Sequence, residues 1–446
     1  MGINIKNKTI NNIKNSVSSN NFQGFEYKTE DMLVPAKIWI PEDIFFSTED
    51  ETIKQIRNMG KIPVIYDHIV VTPDAHAGYG VCIGGVMALK DAVSPGGVGK
   101  DCGCGMLAVK TNIFEKDFLK KREKVMDELY DTIPVGFAWQ QQKQDISSLD
   151  ASIVKELSWA QNKFKDSNED YINMIPLFLG TLGGGNHFWE SQIDENEQIW
   201  IMIHSGSRNL GQQIADYYEK IAIEDLEQKG IILPDNGLAY LDINTLEGQE
   251  YLHSMNFALD FARLNRDNML EKTISVFKNN FKNFQFDGEV INKHHNYAEK
   301  ENYGGVDVIV HRKGAIKVEK GELGIIPGSM DTGSYIVEGL GNDDAFNSAS
   351  HGAGRRMSRS QAAKTLDWDT VKENLIKRDV TIYKGGIGNL IKNWPENPHE
   401  KRFQRMMSDA ISETEKGYKN IQKVLDWESD IVKPIVKLKP KATLKG

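Results

Sequence analysis

Apolar and polar positions follow two different periods along this chain. Ile62–Thr72 (IPVIYDHIVVT) and Gln198–His204 (QIWIMIH) are short runs dense in β-branched and apolar residues, which predicts strands. Asp307–Glu319 and Ser334–Gly339 carry the same signature. Residues 115–132 and 150–166 place apolar side chains at helical spacing. A longer helical stretch covers about 250–282, where interior polar residues predict a break or kink. A last helix is expected over 411–432, followed by a basic tail with Lys433, Lys437, Lys439, Lys441 and Lys445. Residues 1–25 are rich in Asn, Lys and Ser and read as a loosely held, flexible N-terminal arm.

Strand and helix patterns alternate without an internal repeat or a long linker, so residues 26–446 read as one catalytic domain of α+β class. Composition agrees: of 446 residues, 40% are hydrophobic and 26% charged, which excludes wholesale disorder. No run approaches 18 apolar residues, so no membrane span is expected. The first 25 residues hold no apolar core of the kind a secretory signal needs. Three cysteines, Cys82, Cys102 and Cys104, argue against a disulfide framework and fit a reducing, cytoplasmic setting. A net charge of −9 argues against a non-specific nucleic-acid coat, while leaving room for a local basic patch.

Candidate chemistry begins in a Gly-dense region, Asp74 to Gly105, where nine glycines signal tight turns and close backbone approach. Asp101 and Cys104 in KDCGCGM can point a carboxylate and a thiolate at one centre from a sharp turn. His187 follows three glycines in GGGNHFWE, His204 ends a strand in MIHSGSR, and His294 and His295 form a pair in KHHNYAEKE. Together these donors suit a borderline divalent metal such as Zn, Mn, Fe or Co. Each taken singly also has a plain structural reading: Cys104 as a small buried hydrophobe, His204 as a bonded strand end, the His pair as one buried and one solvated ring. His68, His253, His311 and His399 are left to such roles. Asp74 and His76 share a face if extended and read as partners that orient ligands.

His351 differs from the others. Gly352, Ala353 and Gly354 behind it let a bulky group approach the ring, and Arg355, Arg356 and Arg359 would neutralise phosphate. That pattern fits a phosphate-reactive histidine; the alternative is a helix start with solvated arginines. Pro327–Ser334 (PGSMDTGS) is a turn able to hold an anion on backbone N–H groups, or an ordinary surface turn. A Walker A loop and a convincing G-x-G-x-x-G are both absent.

The motifs PDAHAGYG, GGVGKDCGCGM, GTLGGGNHFWE, WIMIHSGSR, HHNYA, GIIPGSM, SHGAGRRMSR and the final KG resemble the RtcB family in order and kind, from about residue 33 to 446. These are RNA-splicing ligases that join a 2′,3′-cyclic phosphate or 3′-phosphate RNA end to a 5′-hydroxyl end. The resemblance implies mixed β-sheets at the core with surrounding helices and a site in a cleft. It implies Mn2+, as two ions, and GTP as cofactors, and an RNA substrate. The enzyme is expected to be a cytoplasmic monomer with no membrane partner, with room for an activating protein.

Carried over motif by motif, Asp101, Cys104, His187, His204 and His295 match the metal ligands and His351 the guanylylated histidine. Asn186, His187, Phe188, Trp189, Glu190, His295, Asn296, Pro327, Gly328, Ser329, Met330, Ser334, His351, Gly352, Ala353, Gly354, Tyr418 and Lys445 match guanine-nucleotide contacts. Arg208 resembles an arginine that meets RNA phosphate. The implied product of guanylyl transfer is an RNA 3′-pp-5′-G end. Departures are Cys102, where many members carry an apolar residue, the segment 384–410, which matches poorly, and the Asn-rich arm. A competing reading is a metal-dependent RNA cyclic phosphodiesterase or phosphoesterase that does not ligate; another is a non-catalytic RNA-binding protein.

Overall fold

A computed structural model describes residues 22–149, 159–160, 170–397, 400–401, 407 and 412–446. The expected arm therefore lies, for residues 1–21, outside the described residues, as does most of the 150–166 helix and part of 384–410. In chain order the strands are β1 (Phe25–Tyr27), β2 (Ala36–Ile38), β3 (Ile65–Tyr79), β4 (Val81–Leu89), β5 (Ala92–Val93), β6 (Gly105–Phe114), β7 (Phe188–Ile193), β8 (Gln198–Ser205), β9 (Leu241–Asp242) and β10 (Ile291–His294). They continue as β11 (Asn296–Tyr303), β12 (Val306–Lys313), β13 (Ala315–Lys317), β14 (Leu323–Pro327), β15 (Ser334–Gly339), β16 (Ser348–Ser350), β17 (Thr381–Lys384), β18 (Gly388–Asn389) and β19 (Val432–Lys445).

Two mixed sheets form the centre. One runs β1-β2-β3-β4-β12-β11, with β2 parallel to β3 and its other pairs antiparallel. The other runs β10-β6-β8-β7-β19-β15-β14, with β17 joined in parallel to β19. Helices surround them, so the α+β expectation holds. Among the described residues no helix is long and apolar enough to cross a membrane.

The helix Leu246–Asn280 ties the two layers together. Tyr251, Met255 and Phe261 lie in one core and Met269, Val276 and Phe277 in another. It is a single unbroken helix of 35 residues, about 52 Å long. The expected break does not occur, because the inward polar residues Asn265 and Arg266 spend their side chains on neighbouring loops rather than on their own helix backbone.

The C-terminal expectation needs correction. Among residues 412–446 the only α-helix is Ile421–Trp427, started by the Asn420 side chain accepting from Lys423 N–H. The basic tail is β19, a strand flanked by β7, β15 and β17. Lysines alternating with Val432, Leu438, Ala442 and Leu444 carry a period near two, which charge disguised. Elsewhere the differences are of extent. β3 continues through PDAHAGY, residues 115–132 form two helices meeting at Lys120–Lys121, and Gly314, at φ +66°, separates β12 from β13.

Candidate active site

Four chain segments end at one edge of the larger sheet. Cys104 directly precedes β6, His187 precedes β7, His204 lies at the end of β8, and His295 follows β10. Antiparallel pairing sets Met106 opposite His204, His204 opposite Phe188, and Gly105 opposite His294, so these ends coincide. Asp101 joins them through the turn Asp101–Cys104, closed by Cys104 N–H donating to Asp101 O. Gly103 sits in that turn at φ +80°, a conformation glycine tolerates best, and donates to Asn296 O.

The donor atoms form a continuous row. His187 Nε2 lies 3.2 Å from Asp101 Oδ2 and 3.2 Å from Cys104 Sγ. Cys104 Sγ lies 3.2 Å from His204 Nε2, which lies 3.4 Å from His295 Nε2. Two triads result, Asp101–Cys104–His187 and Cys104–His204–His295, each with its ligand atoms within 4.8 Å of one another. Cys104 belongs to both. His187 Nδ1 is spent on Leu182 O, which leaves Nε2 for the centre, while His295 Nδ1 is buried without a hydrogen-bond partner.

Burial, reinforced by neighbouring imidazoles, holds His204 and His295 well below the usual histidine range, so both rings are neutral at pH 7. Burial pushes the Cys104 thiol up, and the Asp101 carboxylate pushes it further. A cation bound here would displace that proton. The residues present therefore fit a divalent metal pair: three imidazoles, a carboxylate and a shared sulfur converge, and His295 Nδ1 is left without a hydrogen-bond partner.

The scaffold behind this row was not legible in the sequence. Arg266, fully buried, donates to Gly103 O (3.1 Å), Ser205 O (2.9 Å) and Asn292 Oδ1 (2.8 Å). Asn265 donates to Thr181 O, Ser205 Oγ and Gly206 O, and accepts from Thr181 N–H. The two adjacent residues thus brace every segment that carries a donor. Asn-Arg inside a helix gives no spacing signal of its own.

His351 stands at the end of the row, its ring 4.9 Å from that of His295. Asp74 Oδ2 lies 2.7 Å from its Nδ1, bent out of hydrogen-bond line, and accepts from its backbone N–H at 3.2 Å. Asp74 is fully buried and accepts from Thr72 Oγ1 at 2.6 Å. Burial works against its charge, but His351 and Thr72 outweigh it and hold the carboxyl below the usual range. Gly354, at φ +72°, packs against the Asp74 backbone so closely that a Cβ would lie 2.3 Å from Asp74 O. His76 Nδ1 contacts Asp74 O, so this pair, read from sequence as partners of metal ligands, stands behind His351 rather than beside the donor row.

The other carried-over residues fall into two groups. Glu190, Ser334, Tyr418 and Lys445 form one buried polar region. Thr443 and Gln192 donate to Glu190, whose carboxyl burial raises to about 7, and Gln192 also donates to Ser334 Oγ. Tyr418 donates to Glu413, and Arg355 lies over the Tyr418 ring. Phe188 packs beside His204, and Ala353 N–H donates to Pro327 O, which fastens the 351–354 loop to Pro327–Met330. Asn296 bridges Asp101 O and Gly314 N–H. Trp189 is the exception: its side chain points into the hydrophobic core against Phe277, leaving only its backbone to the site. Arg355 and Arg359 pair with Glu413, and Arg356 is exposed, so the arginines behind His351 are only in part solvated. Arg208 sits at the opposite end of the row and donates to Thr181 Oγ1 and Gly136 O.

Sequence comparison matches this arrangement to known proteins. A family model described as tRNA-splicing ligase RtcB matches residues 55–399. The RNA-splicing ligase RtcB of Escherichia coli K12 is 34% identical over 429 residues, covering 92% of this chain and 97% of that protein. The tRNA-splicing ligase RtcB of Methanococcus maripaludis is 31% identical over 480 residues, at 93% and 95% coverage. That of Aeropyrum pernix is 32% identical over 432 residues, at 82% and 89%.

Proposed function

The chain belongs to the RtcB family and is an RNA ligase, and from that premise we propose that it joins RNA 2′,3′-cyclic phosphate or 3′-phosphate ends to 5′-hydroxyl ends, using GTP and Mn2+, in RNA repair or tRNA splicing. The observation that carries this reading is the row of donors that ends at His351, with Asp74 behind its Nδ1.

Asp101, Cys104 and His187 would hold one ion and Cys104, His204 and His295 a second, with Cys104 common to both. Manganese bound there would supply electrostatic stabilisation of phosphoryl oxygens. His351 does the covalent work. The Asp74 carboxylate, 2.7 Å from Nδ1, favours the tautomer protonated there and leaves the Nε2 lone pair as the nucleophile. Nε2 attacks the α-phosphorus of GTP, an N–P bond forms, and pyrophosphate leaves with the broken P–O bond. The guanylyl group then passes to the RNA 3′-phosphate and frees His351. Attack by the RNA 5′-hydroxyl on the activated RNA phosphorus forms the phosphodiester and expels GMP. A cyclic end first takes up water, breaking its bond to the 2′-oxygen.

Glu190, Ser334, Tyr418 and Lys445 would receive the guanine nucleotide; Glu190, Ser334 and Lys445 are buried, and Lys445 pairs in register with Phe188. Arg208 is assigned to RNA phosphate. The test is an RNA carrying a 2′,3′-cyclic phosphate and a 5′-hydroxyl, incubated with chain, GTP and Mn2+. A sealed strand that retains the phosphate, with GMP released, is expected. Opening of the cyclic phosphate without sealing would overturn the proposal in favour of a phosphoesterase.

A further inference from the structure

Beside the loop that carries His187, a cavity of about 560 Å3 opens between Tyr130, Phe137, Gly184, Gly185, Lys384 and Gly446. No role carried over by motif falls on these six residues. Phe137 is 99% exposed, and Trp139, on the same loop, is 47% exposed. A lone exposed aromatic is ordinary; this one is held in place. Gly136 N–H donates to Gly183 O, and Arg208 Nη2 donates to Gly136 O. On the other side of the ring Gln140 N–H donates to Leu177 O and Gln140 Nε2 to Gly180 O. The backbone that presents the phenyl is thus pinned to the glycine loop that presents His187.

The sheet fixes how far the cavity stands from the metal row. Strand pairing aligns Lys384 with Lys445, Lys445 with Phe188, and Phe188 with His204. Three strand spacings, about 14 Å, therefore separate the Lys384 wall from His204. The cavity lies at the Asp101–His187 end of the donor row, whereas His351 stands at the other end beside His295. Tyr130 and Val135, on its wall, pack against the hydrophobic core that holds Trp189 and Leu444. Glu190 and Thr443, in the buried polar group, sit at the alternating positions of the same strands, so their side chains leave by the opposite face. The cavity therefore borders the polar group only through Lys384, whose pairing with Lys445 puts both side chains on the Glu190 face.

We propose that this cavity is a nucleobase-stacking subsite for single-stranded RNA, in which a base a few nucleotides from the joining end lies against the Phe137 ring. The proposal rests on the ligase reading. A flat phenyl face takes any base, which suits an enzyme that reads end chemistry. The volume falls in the range of small-ligand sites and can admit one nucleoside. Arg208, bonded to Gly136 O on the wall, brings positive charge beside the cavity, as a polyanion requires, while Lys384 Nζ donates to Gly446 O.

The test measures binding of a single-stranded RNA decamer with a 3′-phosphate, by fluorescence anisotropy, to the full chain and to Phe137→Ala and Phe137→Trp. A second series places 2-aminopurine at each of the last five positions, where stacking quenches it. Phe137→Ala should weaken binding about 10-fold and Phe137→Trp should keep it. Quenching should peak at one or two positions and vanish in Phe137→Ala. Because the ring is exposed, thermal melting of Phe137→Ala should match the parent, so misfolding does not imitate the result. Unchanged RNA affinity in Phe137→Ala overturns the proposal and leaves the ring to a protein partner. Equal loss in Phe137→Trp also overturns it, since loop disturbance would then explain both. Failure of the parent chain to bind RNA would remove the ligase reading itself.

Discussion

Asp74 shows what one residue contributes to the reactive histidine. Its carboxylate is buried, accepts from Thr72, and lies 2.7 Å from His351 Nδ1. A carboxylate this close favours the tautomer with its proton on Nδ1. Asp74→Asn keeps the shape and removes the charge. It should slow guanylylation by about 10- to 100-fold, while the metal content stays at the parent's value. Rapid-quench assay of adduct formation beside metal analysis checks both; an unchanged rate would show that the contact is structural only. The sequence suggested Asp74 as a partner of metal ligands, and the structure sets it beside His351 instead. Its partner lies 277 positions away, and no local spacing encodes that contact. The donor residues were legible because sulfur, imidazole and carboxylate have few other reasons to cluster between glycines. Trp189 shows that a residue within a motif can turn its side chain to the core.

At the scale of elements, the long helix is the part of the site that motifs do not reveal. Asn265 and Arg266 sit where polar residues suggested a break, and instead they fasten the Gly103, Thr181, Ser205 and Asn292 segments to one rigid rod. Arg266→Lys keeps the charge but cannot span two carbonyls and an amide with one ammonium. We expect Mn2+ affinity about 10- to 100-fold weaker by calorimetric titration, with the same number of ions per chain. Parent-like affinity would mean that the sheet alone positions the donors. β19 teaches a related lesson. Its lysines read as a solvated tail, yet the strand pairs with β7, β15 and β17 and delivers Lys445, almost fully buried, to the neighbourhood of Glu190. Pairing partners decide whether a strand is central, and the strand's own residues do not name them.

Across the whole molecule, the fold class was legible and the assembly was not. Mixed strand and helix periods predict α+β, but only the register of β6, β7, β8 and β10 brings segments from residues 101 to 295 to one sheet edge. That convergence couples the metal to global stability, since a bound ion bridges four separate segments. It also couples it to acid. Burial and Asp101 raise the Cys104 thiol, so binding must release its proton, and each unit of pH lost weakens binding by about tenfold. The rise in melting temperature on adding Mn2+ should therefore be large near pH 8 and shrink steadily toward pH 6. Comparing each pH with and without metal cancels groups that titrate independently of it. A rise independent of pH would contradict a thiolate ligand.

The claim on which the rest depends is that His351 takes the guanylyl group. The most direct measurement incubates the metal-loaded chain and its His351→Ala variant with α-labelled GTP and Mn2+, then denatures both and counts label on protein. The account predicts label on the parent alone, stable to alkali and released by acid, as a phosphoramidate requires, with metal content equal in the two. Label on His351→Ala, or none on a folded and metal-loaded parent, would contradict it.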